Sequence, residues 1–489
     1  MKTTPGINEA LQRYQAYLSP ADYARLLAAS RQAAPGALRV NRLKVANPVD
    51  FAADLAARYG WKLQALPFSA DSWQVLESQT SPSQTPEHQL GCYYLQDAAS
   101  ILPAAMFNNV SGPIVTLDMA ASPGGKTTQL VDLVQDASLV IANDSSAGRL
   151  PALRTVLQLW GSASTAVTNF AGERWGDWYP ESFDRVLLDA PCSMESLRET
   201  KGQAFRPTSQ TERSRLALRQ EALLDSGLRA LKTGGELVYS TCSLAPEEDE
   251  AVVSALLERY PGLIEVAKRT VLQKAPPALT RFEGQNFLPE LQKGLRLWPF
   301  TLDTNGFFAI KLRKTGALPT QEATRAPQRP FRATGLRKPA AETAASVIKQ
   351  IEDDYEFNLA SQMAEQNLEM YIRDGNFWLL PADWLDRFSS LPYHALGMEL
   401  GSMLKGIFEA SADFILRHGH LFSRGKAILP DEALQQWLNG HDLRDQELSH
   451  EGTAKLAAVF SQSGLNLGPG KILPGRVRNM LPRRNLRLN

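Results

Sequence analysis

From about residue 80 to 314, short apolar runs alternate with helical segments, and this alternation leaves few architectures open. Strands joined by helical crossovers pair in parallel and are covered on both faces. The runs are "PIVTLDMA", "SLVIAND", "TAVTNF", "DRVLLDAP" and "ELVYSTCSL". A later pair, "GLIEVAK" and "GFFAIKLRK", is expected to close the sheet. Open sheets of this kind keep their ligands beyond the carboxyl ends of the strands. The residues just after each run are therefore the ones to read for function.

A chain of 489 residues is too long for one core. Residues 1–78 read as a first domain, with helical periodicity over Ile7–Leu18 and Ala21–Ala33 and then a strand, "GALRVNRLKV". Arg39, Asn41, Arg42 and Lys44 make the edges of that strand polar and basic. Residues 79–314 carry the alternating pattern, and 315–345, rich in Ala, Pro, Thr and Arg, read as a linker or an ordered arm. From Lys311 to Lys338 there are eight basic residues against one acid, Glu322. Residues 346–489 form a mixed extension whose last run, "KILPGRVRNMLPRRNLRLN", has six basic residues and no acid. Formal net charge is zero, so nucleic-acid binding would have to come from such local patches. Three cysteines exclude a disulfide framework, and no CxxC pair is present for zinc, so no metal is expected. The start lacks the apolar core of a signal peptide and no run reaches spanning length, so a cytoplasmic protein with reduced thiols is expected.

"TLDMAASPGGKTTQL" is a strand, a glycine turn and a helix start, an arrangement whose backbone N–H groups suit an anionic or carboxylate-bearing ligand. It nearly matches the phosphate-binding loop GxxxxGK[ST], with Gly125, Lys126 and Thr127 in place but Ala120 where the first glycine belongs. "RVLLDAP" could imitate the magnesium-holding strand of the same NTPases. The second strand argues otherwise. It ends on Asp144, about twenty residues past the glycines, where a carboxylate suits a ribose hydroxyl pair.

Two strands end on thiols, one in Asp189-Ala190-Pro191-Cys192 and one in Thr241-Cys242-Ser243. A lone cysteine after an apolar strand reads as a small buried hydrophobe. Two at the ligand-bearing ends of neighbouring strands point to chemistry. A Cys–His hydrolase is disfavoured, because His88, His394, His418, His420, His441 and His450 all lie outside the centre of the sheet domain. Thiolate, carboxylate and a nucleoside-bearing cofactor together are what methylation of a pyrimidine at carbon 5 needs. A thiolate on carbon 6 makes carbon 5 able to take a methyl group from a sulfonium. An acid at N3 and the exocyclic amine stabilises the adduct, and a base then removes the C5 proton. Cys242 is read as the attacking thiol and Asp189 as the acid, although the two strand ends alone do not choose between Cys242 and Cys192.

The stretches "LRVNRLK", "YYLQDAAS", "LDMAASPGGKTTQL", "IANDSS", "VLLDAPCS", "ELVYSTCSLAPEEDEAVV" and "GFFAIKLRKT" run in one order across residues 36–315. In that order the chain resembles the NOL1/NOP2/Sun family of RNA 5-methylcytosine methyltransferases, and most closely the bacterial RsmF (YebU) type. The resemblance implies a Rossmann-like α/β methyltransferase fold with flanking RNA-binding domains, the C-terminal one PUA-like. It implies that Ala120, Ala121, Ser122, Pro123, Gly124, Gly125, Lys126 and Asp144 bind S-adenosylmethionine and that Asp189 closes the site between cofactor and base. Cys242 is then the attacking thiolate, and Cys192 assists breakdown of the adduct. The implied substrate is 16S rRNA or the 30S subunit, with tRNA as the alternative, and a monomer is expected.

The chain departs from the family pattern at two places. Ala171 stands where an adenine-contacting Asp is usual, leaving Asn169 or the backbone to supply the contact. Met194-Glu195-Ser196 replaces Gly-x-Gly after Pro-Cys-Ser, with Arg198 slightly displaced, which should restrict that loop. Basic flanks at Arg329–Arg332 and Arg476–Arg487 suit phosphate contacts. A P-loop NTPase and a non-catalytic RNA-binding factor on the same fold are the readings from other classes.

Overall fold

The apolar runs form strands whose residues are buried almost throughout, as a sheet covered on both faces requires. In the computed structural model, which describes residues 5–108, 112–198, 208–319, 324–444 and 454–486, they are β1 (Val115–Asp118), β2 (Leu139–Asn143), β3 (Thr165–Thr168), β4 (Phe183–Asp189) and β5 (Leu231–Thr241). The pair expected to close the sheet forms β6 (Ile264–Val266) and β7 (Phe307–Lys314). The order across the sheet is β6-β7-β5-β4-β1-β2-β3. Strands β1 to β5 pair in parallel, and β7 runs antiparallel to β5. The chain leaves β1 for β2 on one side and has β4 on the other, so the crevice opens at the carboxyl ends of β1 and β4. Helices α1 (Gly125–Leu133), α2 (Leu150–Trp160), α3 (Gln210–Ala230) and α4 (Glu250–Arg259) cover the faces.

The first region builds a four-stranded antiparallel sheet, ordered Trp61–Ala65, Ser72–Ser78, Gly36–Val40 and Tyr93–Asp97. Its last strand lies beyond residue 78, so the sheet is complete only at Asp97. The basic residues of "LRVNRLK" are mostly not a surface. Arg39 is fully buried, pairs with Asp132 on α1, and donates to the Gly125 carbonyl at 3.1 Å. Asn41 donates to the carbonyls of Gly91 and Trp160 at 2.8 and 3.0 Å. Lys44 donates to those of Leu90 and Leu159 at 2.8 and 2.7 Å, and burial lowers its pKa to about 8. These groups fasten the N-terminal sheet to the central domain, because leaving them unpaired at a buried junction would be costly. Of the four, only Arg42 is exposed.

The C-terminal region holds two further sheets, but it is joined to the central one. A short strand, Ala395–Leu396, pairs antiparallel with β3 and so becomes the edge of the central sheet. Leu380, Trp384, Phe388, Leu391 and Leu396 belong to the same hydrophobic core as β1, β4 and α3. Phe388 stacks on Phe183 of β4, with ring centres 5.6 Å apart. Each such fully buried apolar side chain contributes roughly 1.5–3 kcal/mol. The stretch 315–345 is an arm in its described part: Leu318, Ala326 and Leu336 are buried, and the helix that follows already begins at Ala341. Glu322 lies outside the described residues.

Candidate active site

The turn after β1 is pinned before any ligand arrives. Ala121 N–H donates to the Asn143 carbonyl at the end of β2 at 2.8 Å, and Ser122 N–H donates to Asp144 Oδ2 at 3.1 Å. Gly124 caps α1 at φ +115°, a conformation that needs glycine. Gly125 serves a different purpose: a Cβ there would lie 2.6 Å from both Gln96 Oε1 and Tyr94 Cε1, so its absence lets the N-terminal sheet close on α1. Ala120 to Gly124 thus form a turn bridging the ends of β1 and β2.

Asp144 is buried just past β2, with Oδ1 accepting from Ser146 N–H at 2.9 Å. Asn169 donates to the Asp144 carbonyl at 2.6 Å, so its side chain orders the strand end. Ala171 is exposed and precedes the short 3-10 turn Gly172–Arg174. Asp118, the last residue of β1, was not picked out from the sequence. Its Oδ2 accepts from Thr127 Oγ1 at 2.7 Å, while its buried Oδ1 has no protein partner. Burial, followed by the nearby Asp189 charge, raises its pKa to about 7.

Strands β4 and β5 are hydrogen-bonded neighbours, and the two thiols meet at their ends: Cys192 Sγ lies 3.2 Å from Cys242 Sγ. Asp189 closes β4 between two partners. Lys126 donates to its Oδ2 at 2.8 Å, and Ser240 Oγ donates to Oδ1 at 2.7 Å. Lys126, expected in the cofactor loop, therefore turns its ammonium toward the thiol side. Burial opposes its charge, but Asp189 outweighs that cost and holds its pKa above that of an ordinary lysine. The Cys192 pKa is pushed well up, first by the hydrogen bond to Cys242 and then by burial.

The loop after Cys192 carries backbone strain, at Met194, the first missing glycine, and at Leu197. Met194 takes φ +59° and Leu197 φ +56°, left-handed values that side-chain residues adopt at a cost. Buried contacts over-determine the shape. Glu195 pairs with Arg213 at 2.8 Å, and Arg198 donates to the carbonyls of Thr304 and Ala33 at 2.9 and 3.2 Å. Arg198 is thus a clamp for the loop and not a group of the thiol cluster. On the far side, Asn305 Nδ2 donates to Asp97, and Phe307 lies 5.7 Å from the Lys126 ammonium.

Of the histidines, His418 and His420 are held neutral by burial, followed by the charge of Arg417, and lie in the C-terminal region. His450 lies outside the described residues. Arg329 and Arg332 are exposed, as are Arg476, Arg478 and Arg483. Arg484 instead pairs with Asp413, and Arg487 lies outside the described residues.

The profile described as 16S rRNA methyltransferase RsmB/F matches residues 106–313, and that of the N-terminal domain of 16S rRNA methyltransferase RsmF matches residues 8–98. The chain is 30% identical over 486 residues to the ribosomal RNA small subunit methyltransferase F of Shewanella sp. (strain MR-7), covering 98% of this chain and 95% of that one. It is 32% identical over 466 residues to the protein of the same name from Psychromonas ingrahamii, covering 93% and 91%. A methyltransferase homolog from Pyrococcus horikoshii superposes with a TM-score of 0.54 at 29% identity, over 64% of this chain and 99% of that one. NSun6 from the same organism, solved with SFG, shares the fold with a TM-score of 0.53 at 19% identity, over 63% and 97%. A P-loop NTPase is thereby set aside. With its glycine turn, strand-end acids and near full-length matches, the chain belongs to the RsmF group of the RsmB/F family of S-adenosylmethionine-dependent 16S rRNA methyltransferases.

Proposed function

We propose that the chain methylates carbon 5 of a cytidine in small-subunit ribosomal RNA, in the cytoplasm and as a monomer, through a covalent bond between Cys242 and carbon 6. The observation that carries this reading is the contact of two thiols at adjacent strand ends beside the Asp189–Lys126 pair. The residues present fit S-adenosylmethionine. Asp144 is poised for the ribose, the 120–125 turn offers backbone, and the orphaned Asp118 Oδ1 is an acceptor left for a donor. When bound, that cofactor supplies an electrophilic methyl group.

The protein's share of the chemistry follows from where these groups sit. Cys242 forms the bond to carbon 6, and the displaced π pair makes carbon 5 nucleophilic. The Asp189–Lys126 pair meets the N3 and exocyclic-amine edge. Its carboxylate accepts from the amine, and its ammonium offers a proton to N3 as charge gathers there. Once Cys242 is bonded to carbon 6, its hydrogen bond no longer helps to hold the Cys192 proton. Cys192 then loses that proton to water and removes the one on carbon 5. The S–C6 electron pair leaves with Cys242 as the C5–C6 double bond reforms. The target base must be unpaired or flipped to reach this depth.

A denaturing gel of variants incubated with RNA and S-adenosylmethionine tests the roles. Cys242→Ala should give neither methylation nor a covalent species, and Cys192→Ala should stall as an adduct. An adduct from Cys242→Ala and none from Cys192→Ala would reverse the two thiols. Bisulfite mapping of rRNA and tRNA from a deletion strain separates the ribosomal substrate from the tRNA alternative.

A further inference from the structure

Four acids follow the second thiol, and one of them holds both thiol loops. Glu248 is fully buried just before α4. Its Oε2 accepts from Ser193 N–H at 2.9 Å and from Gln220 Nε2 at 3.0 Å. Its Oε1 accepts from the Ser193 hydroxyl and from Ser243 Oγ, the latter at 3.2 Å. Ser193 directly follows Cys192 and Ser243 directly follows Cys242. Gln220, on α3, donates in addition to the Pro191 carbonyl at 2.9 Å, the residue before Cys192. A single carboxylate thus reaches the chain beside each sulfur, and a neighbouring helix braces it.

The geometry points to Glu248 as the positioning residue of the thiol pair, setting the contact between Cys192 and Cys242. The inference rests on the reading that these thiols do the chemistry. A buried carboxylate left without partners is expensive, and here four donors converge on it. The loops that carry the sulfurs therefore cannot separate without breaking bonds to a charged acceptor, the strong kind. The charge also matters. Cys192 is faced by Tyr239 of β5, by Cys242 just past its end and by Glu248 just before α4. Glu248 is among the charges that raise its pKa.

Gln and Ala at this position test different things. Glu248→Gln keeps the shape: the Gln carbonyl can take the Oε2 place, and the two serine hydroxyls can rotate to accept from its NH2. It removes the charge alone. Glu248→Ala removes the hold on both loops. Site-resolved iodoacetamide labelling, read by peptide mass spectrometry over a pH series, reports each thiol without RNA. We expect Glu248→Gln to label Cys192 at lower pH than wild type, since a repelling charge is gone. Glu248→Ala should lose about 100-fold in kcat, the scale of a misplaced reacting group, with KM for RNA within twofold. If Glu248→Ala does not fold, Ser243→Ala, which removes one of the four contacts, should reduce kcat while Ser193→Ala/Ser243→Ala reduces it further.

Unchanged Cys192 labelling in Glu248→Gln, or wild-type kcat in the Ala or the double serine variant, would overturn the proposal. Failure of the methylation reading would look different. Wild type would then form no adduct and no 5-methylcytosine, and the labelling profiles would still decide the role of Glu248.

Discussion

Asp118 ends β1 with a carboxyl that the folded protein protonates more readily than the unfolded chain does, its pKa raised by burial from 3.8 to about 7. Between those values the native state binds more protons than the unfolded state, so stability falls as pH rises through this window and levels off above it. Asp118→Asn keeps an acceptor for Thr127 and removes the titration. In the ligand-free protein it should lessen the decline seen in urea unfolding between about pH 4 and pH 7. The difference from wild type at pH 8 should reach on the order of 4 kcal/mol. A variant with the wild-type slope would show that Asp118 is not the group responsible. Asp144 lies one strand away, and the expected effect there is on binding. Asp144→Ala should weaken S-adenosylmethionine by about 1–3 kcal/mol in calorimetry. Asp144→Asn, which can still accept from Ser122 N–H, separates loss of the ribose contact from loss of the turn. Equal affinity in all three proteins would take Asp144 out of the cofactor site.

Among the elements, the loop from Met194 to Arg198 shows how a strained backbone is kept. Its left-handed residues are fixed by Glu195 and Arg198 beneath them, and by the close approach of the chain before β7. Gly306 N–H donates to the Ser196 carbonyl at 3.0 Å, and a Cβ on Gly306 would sit 2.3 Å from that oxygen. Gly306→Ala must push the loop away from the thiols, so it should cost about 1–3 kcal/mol, as overpacking does, and lower kcat. Met194→Gly acts in the opposite direction. Relief of about 1–2 kcal/mol of left-handed strain is offset by the greater freedom of glycine in the unfolded chain, roughly 0.5–1 kcal/mol. Denaturant unfolding should show stability unchanged or raised by up to about 1 kcal/mol. A clear loss would mean that Met194 packs in a way its 68% exposure does not suggest.

For the whole molecule, the terminal basic run is part of a sheet. Strand Arg476–Asn479 pairs with Asn466–Leu473, Val477 and Asn485 are buried, and Gln89 donates to the Asn485 carbonyl. Deleting the run would unfold a packed edge, so RNA binding is better tested by substitution of its exposed arginines. Replacing Arg476, Arg478 and Arg483 with Ala should weaken RNA binding. If all three meet phosphates of a single strand, the slope of log K against log salt should flatten by about 2. An unchanged slope would leave these arginines without phosphate contacts. Among the described residues no helix is long and apolar enough to cross a membrane.

Periodicity and strand-end chemistry were legible in the sequence because both are local. An apolar run flanked by crossovers must pair in parallel, and the residues after it must line the crevice. The glycine turn, Asp144, Asp189 and both thiols were placed at strand ends that way. What the tertiary structure decided was the partner of each polar group. Glu247, Glu248, Asp249 and Glu250 are four acids in a row, yet they meet Arg13, the serines beside the thiols, Thr241 and Arg296 respectively. No local pattern distinguishes four adjacent acids when their partners come from elements up to 234 residues away. Arg39 and Lys44 read as a polar, basic strand edge because sequence reports charge but not burial, whereas folding turned both to the domain junction. The short strand at Ala395 was unreadable for the same reason: two residues carry no period, and only the open edge of β3 makes them a strand.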